Sequence, residues 1–158
     1  MVTIRPTLQE GFSWVKRPIN IPEESMKSVK LHKVSNKLEQ FHYENLTWVR
    51  SLDFFKQENN FLKNRLSEVV DNTSDKNFLA QAEHFQNQFI IKDEFVDELK
   101  HDVNEQERIL MDRYIKTGNG IDDLVIQRQK NLREQMEYLE KDFTNLRNEF
   151  NNYLTLFL

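Results

Sequence analysis

From Val34 to Val69 the apolar residues recur in alternating steps of four and three: Val34, Leu38, Phe41, Asn45, Trp48, Leu52, Phe55, Asn59, Leu62, Leu66, Val69. Nine of these eleven positions are apolar, and the step holds over five heptads. Such a spacing keeps one seam of a helix turned towards a partner, which predicts a long bundle or coiled-coil helix. The same alternation returns downstream. Phe78, Ala82, Phe85, Phe89, Lys92, Val96, Leu99, Val103, Gln106 and Leu110 form a second seam. Val125, Gln129, Leu132, Met136, Leu139, Phe143, Leu146, Phe150, Tyr153 and Phe157 form a third.

The punctuation between the seams sets the connections. Asp71-Asn72-Thr73-Ser74 is a run of turn and capping residues, with Thr73 or Ser74 expected to cap the next helix. Lys116-Thr117-Gly118-Asn119-Gly120 holds two of the three glycines, with Gly118 suited to a left-handed helix end and Asn119 to capping helix three. Short links between long helices force antiparallel neighbours. The expected fold is therefore all-α: an antiparallel up–down–up three-helix bundle of long, coiled-coil-like helices. The predicted helices cover about 23/34–70, 75–115 and 121–157 within a bundle domain 23–158. Counting from the links, facing residues of helices one and two have numbers that sum to roughly 145, and those of helices two and three to roughly 236.

Residues 1–22 read differently. Pro6, Pro18 and Pro22 forbid a continuous helix, yet Phe12, Trp14, Val15, Ile19 and Ile21 are richer in apolar groups than a disordered tail. An extended, proline-containing segment lying along the bundle or binding a partner is expected.

Composition narrows the chemistry. The 158 residues contain no cysteine, which removes thiol catalysis, disulfides and cysteine-ligated zinc. The formal charge of −4 is mixed along the helices, with no clustered basic face for nucleic acid. No segment approaches a membrane span, and the first 25 residues lack the apolar run of a signal peptide, so a cytoplasmic protein is expected. Three glycines at 11, 118 and 120 build no phosphate-cradling loop, and no Gly-x-Ser-x-Gly elbow is present. The expectation is a protein without enzymatic activity or cofactor.

The sharpest chemical motif is Glu-x-x-His, present at Glu39–His42 and Glu98–His101. Ferritin-like carboxylate proteins place two such motifs inside a four-helix bundle. Helical phase opposes that use here, because Glu39, Glu98 and His101 fall on outer positions and His42 on a flank. A metal- or ligand-binding bundle completed by dimerisation is the alternative function. The preferred one is a structural or protein–protein interaction module that associates with another copy of itself.

Two further sets of residues carry expectations. Asn45, Asn59, Gln106 and Gln129 occupy seam positions, where a buried amide fixes register at a cost in stability; for Asn45 and Asn59 the alternative is a helix locally exposed to solvent. Gln106 is expected to meet Gln129 or Asn45. Phe54 and Phe61, one heptad apart beside the seam of helix one, and Leu154, Leu156, Phe157 and Leu158 at the C-terminal turns are the expected interaction surface. Ile90 and Ile91 also lie outside the seam of helix two.

Overall fold

A computed structural model describes residues 23–118 and 121–157, and the side chains of 36–116, 118 and 121–157. The expectations for the extended segment 1–22, for Asn119 and for the Leu158 contact lie outside the described residues.

The chain forms three helices that pack as an all-α bundle: α1 (Glu23–Asp71), α2 (Lys76–Thr117) and α3 (Asp123–Phe157). α1 runs through residues 33–35 without a break. No strand occurs among the described residues. With only two alanines and sixteen asparagines in the chain, intrinsic propensity is weak, and burial of one face must hold each helix.

The seams do this. Among described seam residues every one is buried except Val69, which is partly buried, and Phe157, which is 37% exposed. The contacts group into two units, Met1–Leu46 with Gln106–Gln129, and Thr47–Glu105 with Lys130–Leu158. In the second unit α1 contributes Trp48, Leu52, Phe55, Leu62 and Leu66, facing Phe78 to Val103 of α2 and Leu132 to Leu154 of α3. An aromatic stack fills one end. The Phe78 and Tyr153 rings stack at 4.7 Å, and Phe150 meets Phe85 and Phe89 edge-on at 5.4 and 5.1 Å. The Tyr153 hydroxyl donates to the Phe78 carbonyl at 2.6 Å. Burial, with the charge of Asp75, pushes this phenol up to about 12. The first unit has a smaller apolar cluster of Leu38, Phe41, Leu110 and Val125, flanked by Ile109, Ile121 and Ile126.

The helix ends differ in detail from the sequence expectation. Asp75, not Thr73 or Ser74, caps α2: its Oδ1 accepts from the amides of Asn77 and Phe78 at 2.8 and 3.1 Å. A carboxylate satisfies two free amides and complements the positive helix end, which a hydroxyl does less well. Thr73 Oγ1 accepts only from the Asp75 amide, at 3.4 Å. α3 is capped by Asp122, whose Oδ1 accepts from the Val125 amide at 2.8 Å. Gly118 closes α2 at φ 68°, with its amide donating to the Tyr114 carbonyl at 2.8 Å.

Register also differs between the two helix pairs. Contacts of α2 with α3, such as Gln106–Gln129 and Lys92–Asp142, fall where counting from the link puts them. Contacts of α1 with α2 lie further along α2 than counting from the link puts them, from about half a heptad for Asn59–Phe89 and His42–Glu107 to about one heptad for Asn59–Asp93 and Lys56–Asp97. A slip of a whole heptad leaves every seam residue facing the seam. The apolar pattern is therefore blind to it.

The cap is open to test. Asp75→Ala should lower stability by about 1 kcal/mol, and Asp75→Asn by less, because asparagine still accepts from the same amides. Urea unfolding followed by helical circular dichroism measures both.

Candidate polar layer and exposed apolar faces

Five seam positions carry polar side chains that are nevertheless buried: Asn45, Asn59, Lys92, Gln106 and Gln129. Asn45 and Asn59 stand one step before the apolar residues Trp48 and Leu62, so the helix cannot turn them out without losing those contacts. A buried amide left unpaired costs about 1–3 kcal/mol, so each must find partners.

In the first unit three amides form a directed relay across the three helices. Gln106 Nε2 on α2 donates to Gln129 Oε1 on α3 at 3.2 Å, and also to the Val125 carbonyl at 3.0 Å. Gln129 Nε2 donates to Asn45 Oδ1 on α1 at 2.8 Å. Asn45 Nδ2 donates to Glu107 Oε2, back on α2, at 2.8 Å. An ionised carboxylate can only accept, so Glu107 dictates which way Asn45 points. Asn45 in turn orients Gln129, and Gln129 orients Gln106. Glu44 Oε1 takes a second hydrogen bond from Gln129 Nε2 at 2.8 Å, and His42 Nδ1 meets Glu107 Oε1.

In the second unit Asn59 is the one buried seam amide among the described residues. Its Nδ2 donates to the Phe89 carbonyl and to Asp93 Oδ1, both at 2.8 Å. Asp93 also pairs with Lys63, and lies 3.5 Å from Lys56. Burial by itself would raise the Asp93 carboxyl. The hydrogen bonds from Lys63 and Asn59, with the charges of Lys63 and Lys56, outweigh it and hold the group below its ordinary value. Lys56 is held above its ordinary value, chiefly by its 2.9 Å hydrogen bond to Asp97. Lys100 pairs with Asp53 at 2.6 Å, and Lys92 pairs with Asp142 of α3.

Sequence reasoning found the four amides and missed the carboxylates that anchor them. A signal was present. Asp93, Lys100 and Glu107 recur every seven residues on one flank of α2, and His42, Lys56 and Lys63 lie on one flank of α1. Flanking positions of this kind carry interhelical ion pairs.

The Glu-x-x-His motifs do not converge. Glu39, Glu98 and His101 are exposed, and His42 faces Glu107. Among the described residues no group of three histidines and carboxylates is placed to hold a metal ion. A groove of about 280 Å³ between α1 and α2 is walled by Leu66, Val70, Leu79, Ala82 and Ile90, with Lys63, Glu83 and Gln86 among its lining. Ser67 completes the polar part of its lining.

The expected interaction residues divide. Phe54 and Phe61 are 53% and 61% exposed, and Leu156 is 81% exposed. Phe157 is half-covered, its ring packed against Phe78 at 5.1 Å and Tyr153 at 5.3 Å. Leu154 is a correction: at 3% exposure it belongs to the core cluster, because it follows Tyr153 on the flank of the α3 seam. No helix among the described residues is long and apolar enough to cross a membrane.

Two measurements probe the polar groups. Gln106→Leu removes the start of the relay and leaves Gln129 Oε1 without its donor. Should the layer specify register, the variant changes association state or helix pairing, seen as altered mass in solution or altered amide exchange. A simple rise in melting temperature with unchanged mass would show that the layer has no specifying role. Asp93 gives a pH signature. Its native value lies below the ordinary 3.8, so its contribution is present above that pH and is lost as pH falls towards the native value. Asp93→Asn should cost on the order of 1–3 kcal/mol at neutral pH and flatten the loss of stability below pH 3.8. Denaturant midpoints across an acid titration read both effects.

Three comparisons with known proteins bear on the chain: no family model, no curated protein and no solved structure matches it.

Proposed function

We propose that the chain is a non-enzymatic helical-bundle protein, a structural or protein–protein interaction module of the cytoplasm that associates with another copy of itself in coiled-coil fashion. One observation carries this reading. The seams already fill the interior, yet Phe54, Phe61, Ile91, Tyr138 and Leu156 remain at least half exposed. Apolar side chains of this size in stripes, rather than scattered singly, mark surfaces that another protein covers. The exposed groups sit on helix flanks, a setting that favours a macromolecular partner over a small molecule.

The reading is checked by mass. Light scattering across a dilution series should give masses above the 19.1 kDa of the single chain at tens of micromolar, falling to it on dilution. A chain that stays at that mass up to high micromolar concentration does not self-associate, and its exposed stripes then serve a different protein.

A further inference from the structure

Two apolar stripes lie on different flanks of the second unit, and their charged surroundings are opposite in sign. The first is on α1, at the edge turned towards α3, where Glu58 lies 3.9 Å from Arg147. Phe54 and Phe61 stand one heptad apart there, about 10 Å along the helix. Arg50 lies one turn before Phe54 and Arg65 one turn after Phe61, both exposed, so arginines bracket the stripe. Glu58, the acid between the two rings, already faces the guanidinium of Arg147.

The second stripe is on the flank where α2 meets α3. Ile91 is 50% and Tyr138 62% exposed, and the Tyr138 ring packs edge-on against the half-buried Phe95 at 6.1 Å. Glu94 and Glu98 follow Ile91 along α2, and Glu134 lies one turn before Tyr138 on α3; all three are exposed. Lys141 is the basic residue nearest in sequence to Tyr138, so the surroundings remain acidic.

We infer that these stripes are the two halves of one contact: the Phe54–Phe61 stripe of one copy docks on the Ile91–Tyr138 stripe of a second copy, with arginines set against glutamates. The inference rests on the self-association proposed above and specifies its geometry. A two-fold contact through either stripe alone would bring like charges together. Across the first it sets Arg50 and Arg65 against the same residues of the second copy, and across the second it sets glutamates against glutamates. Like charges facing each other in a contact are unfavourable and select against that partner. Because the two stripes lie on different flanks, the contact between them is taken as head-to-tail, and each copy keeps one stripe free for the next unless the copies close into a ring. Growth then continues past the dimer.

Two variants test this. The first carries Phe54→Asp and Phe61→Asp; the second carries Ile91→Asp and Tyr138→Asp. All four side chains are at least half exposed, and circular dichroism with urea unfolding verifies that each variant keeps the helical fold. The intact chain should grow beyond a dimer with concentration, while each variant alone stays monomeric. An equimolar mixture should form a dimer and stop, because each variant retains the stripe that the other lacks. Raising the ionic strength should weaken association of the intact chain, a readout that needs no variant. If the intact chain associates but either variant alone does so equally well, the contact lies elsewhere: self-association stands and the paired stripes fall. The same holds if association is indifferent to salt or the mixture stays monomeric. If the intact chain is monomeric throughout, both fall.

Discussion

Everything in this fold depends on covering one seam per helix. A chain with two alanines and sixteen asparagines has little reason to be helical by itself. Burying a large aliphatic or aromatic side chain contributes about 1.5–3 kcal/mol, and each helix buries a row of them. The helices exist because their seams meet, and the seams meet because four-three spacing keeps each on one side of its helix. The aromatic weight of the second unit follows from this. Phe78, Phe85, Phe89, Phe150 and Tyr153 interleave at ring distances of 4.7 to 6.4 Å, filling wide layers with few residues.

Polar residues in such a seam are tolerated only with partners, and the two units supply them in different ways. The relay of the first unit joins all three helices and ends on the Glu107 carboxylate, which gives the amides a single orientation. Asn59 instead bridges α1 to a backbone carbonyl and to Asp93, and the lysines of α1 balance that carboxylate. Neither arrangement is without cost. Gln106 Oε1 and Asn59 Oδ1 are buried without a hydrogen-bond partner among the described residues. Leucine in these positions would bury more apolar surface. A buried amide of this kind can exchange stability for a defined pairing of helices, and the Gln106→Leu variant decides whether this layer does so.

The same slip explains the role of the flanking charges. An apolar seam repeats every seven residues and accepts any register that is a whole number of heptads away. The pairs Lys56–Asp97, Lys63–Asp93 and Lys100–Asp53 differ from it in that the sign of the charge changes along α2 from one heptad to the next. Partly exposed ion pairs contribute little stability each. A slip by one heptad would part each of these lysines from its aspartate, so the pairs go with the observed register.

The sequence by itself determined the three helices, their seams and the links between them, because periodicity and turn chemistry are local properties of the chain. It also placed Asn45, Asn59, Gln106 and Gln129 in seam positions, but whether the helix buried them or lay locally exposed there was left to the packing, which buries all four and Lys92 as well. The tertiary structure alone decided the rest. Whether Thr73, Ser74 or Asp75 capped α2 depended on where the turn closed. The pairing of α1 with α2 depended on a choice among heptads that the apolar pattern does not distinguish. Glu44 and Glu107 became anchors of the relay only once that pairing brought them beside Gln129 and Asn45. Leu154 looked like surface in a C-terminal run apolar on nearly every side, and packing into the core cluster buried it. Which apolar residues stay outside is settled by how three curved surfaces close on one another, and no single helix carries that information.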